Sequence, residues 1–198
     1  GCRLRQIPVV PVLIFNQEEA VHESVLQFWF QESSPAQWWK VDAEFDRLIV
    51  ERFSDLHGRA ARAELYEWRA EPRGRLAEII VLDQFSRNMH RNDARAYAND
   101  TLALALAQEA VAAKADRALP PEERVFMYMP YMHSESRVIH EVAERLFKQC
   151  GPKSNYDFEI RHKQIVDRFG RYRHRNALLG RQSTEEELAF LAQPGSIF

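Results

Sequence analysis

The chain has 198 residues, of which 45% are hydrophobic and 28% are charged, with only 7 glycines. This length corresponds to about one domain, and the composition is that of a globular protein rather than a disordered or fibrous one. The formal net charge of −2 does not favour nucleic acid as a general partner. The longest apolar run, residues 7–15, contains two prolines and has about half the length of a membrane-spanning helix.

The two cysteines, Cys2 and Cys150, form neither a CxxC motif nor a zinc-binding pattern. We therefore expect reduced thiols and a cytoplasmic protein, and the apolar run also lacks the small-residue cleavage pattern of a secretory signal. Residues 16–198 are predicted to form a single all-helical domain, preceded by an N-terminal arm at residues 1–15.

Helical periodicity dominates the first half of the chain. Asn16, followed by Glu19, is a candidate N-cap for a helix with apolar positions at Val21, Val25, Phe28 and Trp29. Asp42 is a candidate cap for a second helix, whose predicted buried face is Phe45, Leu48, Ile49, Phe53 and Leu56. A shorter segment reaches Leu65 and Trp68, and an alanine-rich helix is predicted within residues 93–114.

The second half shows further helix signals. Pro120 and Pro121 predict a helix start and Pro130 its end. Ser134 is a candidate cap for the next helix, whose predicted core face is Val138, Val142 and Leu146. Residues 156–169 are predicted to be helical, with Phe158, Ile165 and Phe169 in register and a stop at Gly170. Finally, Ser183 and Thr184 followed by Glu186 and Glu187 match a capping box for a last helix ending near Leu191.

No stretch shows convincing period-2 alternation. The sequence therefore predicts an all-α fold of about eight or nine helices with short connections. Helices of about 10–17 residues in antiparallel pairs are typical of an α-solenoid.

The helix predicted over residues 76–91 changes character along one face. At 100° per residue, Leu76, Ile79 and Ile80 share a stripe that continues one turn later as Asp83, Gln84, Arg87, Asn88 and Arg91. The opposite face stays apolar throughout, with Val81, Leu82, Phe85 and Met89. Because this apolar face must pack against other helices, the polar residues cannot be explained by the second half of the helix simply projecting into solvent.

Two interpretations of this polar half stay open. Asp83 and Arg87, four residues apart, can form a solvated ion pair on the helix surface. Alternatively, the polar half lines a cleft or a buried site, in which case partners from other helices are required because an unpaired buried charge is costly.

Candidate partners are present further along the chain. His162 lies on the apolar stripe of its helix and is expected to point inward, as a satisfied core histidine or as an acid–base group. The segment "YMHSES" places His133 and Glu135 at the expected start of a helix, where anions are favoured. His174, Arg175 and Asn176 follow in a loop or helix start.

Residues 161–181 form a basic segment on an acidic chain, which suggests either an anion-facing surface or pairing with acids of neighbouring helices. The segment holds one acid, Asp167, and seven basic residues: Arg161, Lys163, Arg168, Arg171, Arg173, Arg175 and Arg181.

Several catalytic and metal-binding motifs are absent. There is no GxSxG, P-loop or GxGxxG sequence. "HEVAE", residues 140–144, has Glu where a zinc-protease helix has its second His, so we interpret it as a chance surface match. A metal site of His133, Glu135 and His162 is chemically feasible, but HxE is too common a spacing to predict one.

Four ordered blocks resemble a known family. They are "FWF…WW…D..FD..I..RF", "GRLAEIIVLDQFSRNMHR", "ERVFMYMPYMHSES" and "RHKQIVDRFGRYRHRNALLGRQSTEEE". The chain is identified on these blocks as a member of the bacterial family catalogued as domain of unknown function 924, over about residues 22–198. The resemblance implies a tetratricopeptide-like α-α superhelix, and the family has no established function. Its pattern falls on residues 82–85, 87–88, 133–135, 162, 168–171 and 174–176. Three residues depart from it: Ser86 and Arg173, where the family usually has proline, and His140, where glutamine is expected.

These observations predict a pocket that binds a small anionic metabolite, with enzymatic activity as an open question. Asp83, His133, Glu135 and His162 are the candidate catalytic residues. The candidate ligand-binding residues are Gln84, Arg87, Asn88, Arg168, Arg171, His174, Arg175 and Asn176. No metal, no membrane and no nucleic-acid partner is expected, and any cofactor is unknown. The alternative, by analogy of fold alone, is a peptide- or protein-binding module without catalysis.

Overall fold

The computed structural model describes residues 17–150 and 152–193, and every regular element in these ranges is helical. The α-helices are α1 (Gln17–Gln27), α2 (Pro35–Trp39), α3 (Ala43–Ala61), α4 (Pro72–Ile80), α5 (Ser86–Met89), α6 (Asp100–Ala112), α7 (Pro121–Met132), α8 (Arg137–Gln149), α9 (Lys153–Phe169) and α10 (Glu185–Leu191). A π-helical turn, Val81–Phe85, joins α4 to α5 in one continuous helix, so the described ranges contain nine separate helices.

The predicted all-α class is therefore confirmed, and the tetratricopeptide-like arrangement stays a prediction. A π-helical turn, Phe28–Glu32, extends α1, and four 3-10 helices connect the longer elements: Tyr66–Ala70, Ala94–Tyr97, Ala115–Ala118 and Arg173–Arg175. The predicted arm at residues 1–15 and the candidate cap Asn16 lie outside the described residues.

The N-terminal part of the core follows the predicted periodicity. Asp42 caps α3, because its carboxylate accepts hydrogen bonds from the backbone N–H groups of Glu44 and Phe45. The apolar side chains predicted on α3 are buried except Leu48, which lies at the edge of the face. Phe28 and Phe45 stack with ring centroids 5.5 Å apart, so α1 and α3 meet through aromatic contacts.

The continuous helix α4–α5 lies in the centre of the molecule. Helices α1, α6 and α7 all pack against α4, and α3 packs against the π turn and α5. Both faces of the helix are therefore covered, which explains why polar Asp83 and apolar Phe85 are equally buried. A π turn adds a residue to the helical repeat and rotates the side chains that follow it, a device frequent at functional sites.

Helices α7 and α8 differ from the prediction. Pro130 does not end α7, which continues to Met132, because a proline in the last turn removes only one hydrogen bond of the helix. Helix α8 starts after Ser136 rather than Ser134. The predicted core face of α8 is correct only in part: Val142 and Leu146 are half-buried and pack against the core, but Val138 is 74% exposed and the fully buried positions are His140, Ala143 and Phe147.

The C-terminal elements are closer to the prediction. Helix α9 begins three residues earlier than expected, and Phe158 is 46% exposed, whereas Ile165 is buried. Gly170 ends α9 with φ of 72°, the left-handed conformation that favours glycine. Thr184 caps α10 in the predicted capping box with Glu187.

Candidate functional site

Asp83 is the centre of a buried polar cluster. Its side chain is fully buried, and Oδ1 lies 2.7 Å from Nδ1 of His133 and 3.0 Å from Nη1 of Arg87. Nε2 of Gln84 donates to Oδ2 over 2.6 Å. Burial opposes ionisation, but the charge of Arg87 and the contact with His133 outweigh it and lower the pKa of Asp83 below its usual value. The carboxyl group is therefore an anion. Of the two interpretations of the polar half, the buried one holds for Asp83, which has His133 as a partner from another helix.

His133 is held by this carboxylate. It is the C-cap residue of α7 rather than part of a helix start, so the expected stabilisation of anions by free N–H groups does not apply here. Burial and the charge of Arg87 lower the pKa of His133, against the opposing effect of Asp83. The imidazole is thus neutral near pH 7. Because a carboxylate only accepts, Nδ1 carries the proton and Nε2 keeps its lone pair.

Two arginines flank the Asp83–His133 pair. Nη1 of Arg87 lies 3.0 Å from Oδ1 of Asp100, the first residue of α6, and Nη1 of Arg175 lies 3.1 Å from Oδ2 of the same carboxylate. Nη2 of Arg175 also donates to the backbone carbonyl of His133 over 3.1 Å. Asp100 thus joins helix α5 to the 3-10 helix at residues 173–175.

The guanidinium of Arg175 is clamped between two aromatic rings. Its Cζ lies 4.5 Å from the ring centroid of Tyr97 and 4.6 Å from that of Tyr172. Cation–π attraction fixes the guanidinium plane and leaves only its edge for hydrogen bonds. Nε on that edge is buried and makes no hydrogen bond within residues 17–150 and 152–193.

Burial is graded across the cluster. The side chain of Asp83 is 1% exposed and that of Arg175 is 7% exposed, whereas His133, Asp100 and Arg87 are 15%, 18% and 20% exposed. His133, Asp100 and Arg87 are therefore partly accessible from solvent, whereas Asp83 and Arg175 are not.

Glu135 fastens the C-terminal segment to the loop between α7 and α8. Its carboxylate accepts two hydrogen bonds from Arg181, one of them 2.9 Å long, and one from the backbone N–H of Tyr172 over 2.7 Å. Burial opposes ionisation of Glu135, yet these bonds lower its pKa. The carboxylate is fully engaged, so this contact favours positioning rather than the catalytic role that the sequence suggested.

His162 and His174 both lie against Tyr172, with ring centroids 5.7 Å and 5.8 Å from the tyrosine ring. The hydroxyl of Tyr172 donates to the carbonyl of Met132, one residue before His133. Burial lowers the pKa of His162 to about 3 and that of His174 to about 4, so both are neutral near pH 7. Tyr172 links His162 to Glu135, because its ring contacts His162 and its backbone N–H donates to Glu135. A direct or water-bridged contact of His162 with Asp83 or His133 stays a prediction.

Asn88 belongs to a neighbouring contact. Its amide donates to Oδ1 of Asp46 on α3 over 2.7 Å, and Arg91 forms two further bonds to the same carboxylate. The second polar turn of the helix therefore ties α5 to α3.

The remaining predicted ligand-binding residues pack against α10. Arg168 pairs with Glu186 at 2.6 Å, and Arg171 pairs with Glu187 at 2.7 Å. The amide of Asn176 donates to Ser183 over 3.0 Å. These pairs agree with the interpretation that the basic segment pairs with acids of neighbouring helices. A ligand-binding role for these three residues stays a prediction.

Sequence reasoning missed three groups. Asp100 carried no signal beyond an acidic residue near a helix start, and Tyr172 was one aromatic residue within a basic segment. His140 was placed on the surface, but it is fully buried, with Nδ1 2.7 Å from Oε1 of Glu159 and Nε2 2.9 Å from the carbonyl of Ser134. Burial raises the pKa of Glu159, although the hydrogen bond to His140 opposes this.

Neither a membrane-spanning helix nor a cluster of metal ligands is found among the described residues. No helix there is long and apolar enough to cross a membrane. Within the same ranges, no group of three or more His, Cys, Asp or Glu side chains is arranged to hold a metal ion.

Fold and site together define a class of all-α proteins with a polar cluster on a central helix interrupted by a π turn. The chain belongs to the family described as bacterial protein of unknown function (DUF924), whose model matches residues 25–195. A solved structure of a protein of unknown function, ATU0120 from Agrobacterium tumefaciens, is similar to this chain with a TM-score of 0.84 and 38% sequence identity. The similarity covers 87% of this chain and 97% of that one. Among curated proteins, none matches the chain.

Proposed function

We propose that the cluster around Asp83 binds a small anionic metabolite and that His133 exchanges a proton with it. The observation that carries this proposal is the contact between the buried Asp83 carboxylate and Nδ1 of His133, 2.7 Å long. It fixes the tautomer and leaves Nε2 as a proton acceptor. Within the described ranges, Nε2 makes no hydrogen bond, and the side chain is 15% exposed. A buried carboxylate that orients a neutral imidazole is the arrangement that general-base catalysis uses.

The two arginines support an anionic ligand. Burial and the nearby charge of Arg87 both lower the pKa of Arg175, so this guanidinium would gain from a further hydrogen-bond acceptor. Arg87 and His133 are partly exposed beside it. A carboxylate or phosphate oxygen placed here would accept charge-assisted hydrogen bonds.

Binding of simple anions tests the proposal. The protein is titrated with acetate, malonate and inorganic phosphate while NMR follows the imidazole signals of His133. We expect saturable shifts in the wild type and at least a tenfold weaker affinity in Arg175→Gln, a loss of about 1.4 kcal/mol. Arg161→Gln is the matched control, because Arg161 is an exposed arginine that lies over the ring of Phe158.

Arg175 is buried, so thermal unfolding must show that Arg175→Gln is folded before its affinity is interpreted. Should it unfold, His133→Gln is the second variant, and calorimetry measures its anion affinity because it lacks the imidazole signals. Shifts that do not saturate, or equal affinities in Arg175→Gln and Arg161→Gln, contradict the proposal. Native mass spectrometry of protein from its own host then identifies the physiological ligand.

The peptide-binding alternative has one observation in its favour. Trp39 is 59% exposed although its ring lies parallel to that of the buried Phe126, and Val41 next to it is also exposed. An exposed aromatic side chain of this kind is typical of protein contacts. The ring contacts of Trp39 are with Trp38 and Phe126 and not with the polar cluster, so Trp39→Ala should reduce capture of a peptide partner without affecting anion binding.

A further inference from the structure

The polar cluster is electrically balanced when His133 is neutral. Two carboxylates, Asp83 and Asp100, face two guanidinium groups, Arg87 and Arg175, over distances of 3.0–3.1 Å. The outer pair of Glu135 and Arg181 is balanced in the same way.

These charges face His133 from every element around it. Helix α4–α5 contributes Asp83 and Arg87, α6 contributes Asp100, and the 3-10 helix at residues 173–175 contributes Arg175. Helix α9 contributes His162, which interacts electrostatically with His133 and is neutral near pH 7.

A bare anion would disturb this balance. It would leave one uncompensated negative charge in a low-dielectric site, which is unfavourable unless a positive charge appears with it. The arginines are already cationic and cannot supply it. His133 can, because its Nε2 still has a lone pair and its side chain is partly exposed. The imidazolium would then donate through Nδ1 to Asp83 and through Nε2 to the ligand.

We infer that the ligand is a small weak acid with a single negative charge, and that its anion binds together with one proton taken up at Nε2 of His133. The inference rests on the proposed function. It adds the charge of the ligand, because one protonated imidazole compensates one negative charge and not two. Only a proton moves: an N–H bond forms at Nε2, and the O–H bond that breaks belongs to hydronium or to the acid itself.

Proton uptake on binding of acetate tests the inference. Acetate stays ionised above about pH 6, so any proton taken up in this range enters the protein. Calorimetry at pH 8 in two cationic buffers of different ionisation enthalpy measures this number, and we expect about one proton per acetate. Linkage then requires the affinity to rise by up to about tenfold for each unit of decreasing pH between 8 and 6. Sulfate, a dianion throughout, should bind more weakly than acetate.

His133→Gln separates the inference from other sources of protons. This variant should bind acetate weakly, with no proton uptake and with the same affinity at pH 6 and pH 8. His90→Gln is the control, because His90 is a partly exposed histidine whose ring faces His57, and it should keep both effects. If His133→Gln does not fold, an NMR titration of wild-type His133 decides, since acetate must raise its pKa.

The outcomes distinguish the two proposals. Acetate binding without proton uptake, or uptake that persists in folded His133→Gln, overturns the inference and leaves the proposed function standing. Tighter binding of sulfate than of acetate would likewise overturn the inference that the ligand carries a single negative charge. If neither anion binds saturably between pH 6 and pH 8, the proposed function fails together with the inference.

Discussion

Asp83 shows how a fully buried carboxylate remains ionised. Desolvation alone would favour the protonated form, but Arg87 at 3.0 Å and His133 at 2.7 Å reverse that preference. The same contacts orient His133. A single residue thus combines a stability role and a positioning role, and a substitution should affect both.

Asp83→Asn removes this charge and keeps the shape of the side chain. We expect a loss of about 3 kcal/mol in the free energy of unfolding, because Arg87 is left without its buried partner. The pKa of His133 should fall further below its usual value, since Asp83 raises it. Urea unfolding and an NMR pH titration measure the two effects.

Asp93→Asn is the control for this change. Asp93 forms an exposed pair with Arg95, where solvent screens the interaction, and no measurable loss of stability is expected. Equal stability of Asp83→Asn and the wild type would show that the buried charge contributes nothing.

The pKa of His162 predicts how stability depends on pH. Burial lowers it to about 3 in the folded protein, whereas the unfolded chain has the usual value near 6.5. The unfolded state therefore binds the proton first, so the contribution of neutral His162 is fully present above about pH 6.5 and is lost as the pH falls toward 3. A single group changes the free energy of unfolding by up to about 1.4 kcal/mol per pH unit.

His162→Gln should reduce this slope. We expect its stability to be close to that of the wild type at pH 7, and to fall less steeply between pH 6.5 and 4.5 in urea unfolding. Identical slopes for the variant and the wild type would mean that His162 remains protonatable in the folded protein. Because His162 is a candidate catalytic residue, we also expect this substitution to abolish ligand binding or activity, and the acetate titration checks the binding.

At the scale of helices, close approach around α4 positions the cluster. A Cβ atom on Gly74 would lie 2.1 Å from the carbonyl oxygen of Trp68, so the first turn of α4 rests directly on the 3-10 helix at residues 66–70. This contact fixes the start of the helix that carries Asp83 nine residues later. Burial of Trp68 completes the contact on the side of α1.

Gly74→Ala should therefore destabilise the protein by about 3 kcal/mol, because a backbone atom cannot move aside. Gly58→Ala is the matched control in α3, where the nearest atom is the flexible Arg62 side chain at 3.4 Å. There the substitution should stabilise the protein by about 0.5–1 kcal/mol through helix propensity. Thermal unfolding of both variants measures the contrast, and the same sign for both would contradict the close contact.

On the scale of the whole molecule, five of the seven basic residues of 161–181 pair with acids of the same chain. Arg168 and Arg171 pair with α10, Arg175 pairs with Asp100, and Arg181 pairs with Glu135. The net charge of the chain is −2. The arrangement leaves little of the free positive surface that nucleic acids bind.

We accordingly predict that binding to RNA or DNA is weak, with a dissociation constant above about 1 μM at physiological salt. Fluorescence anisotropy with labelled single- and double-stranded oligonucleotides measures it. Submicromolar affinity with a steep salt dependence would contradict the prediction. Glu186→Gln, which releases Arg168 from its partner, should strengthen the weak binding if this surface is the one in contact.

The sequence by itself determined the helical class and much of the helix register. Helical periodicity and caps are local, so Asp42, Gly170 and the capping box of Thr184 and Glu187 could be predicted from a few neighbouring residues. The switch from apolar to polar residues also marked the helix that carries the cluster. The π turn at residues 81–85 could not be predicted, because it depends on how α3, α6 and α7 pack around that helix.

Tertiary structure alone decided which polar residues meet. Asp83 and His133 are 50 residues apart in the chain, and Asp100 and Arg175 are 75 apart. Local patterns hold no information on such pairs, so Asp100 and Tyr172 went unrecognised, and His140 was placed on the surface although it faces Glu159 in the core. Hydrophobic periodicity shows which face of a helix is buried only when that face carries apolar residues. On α8 the buried side carries a histidine, and only the packing of α9 against it could show that.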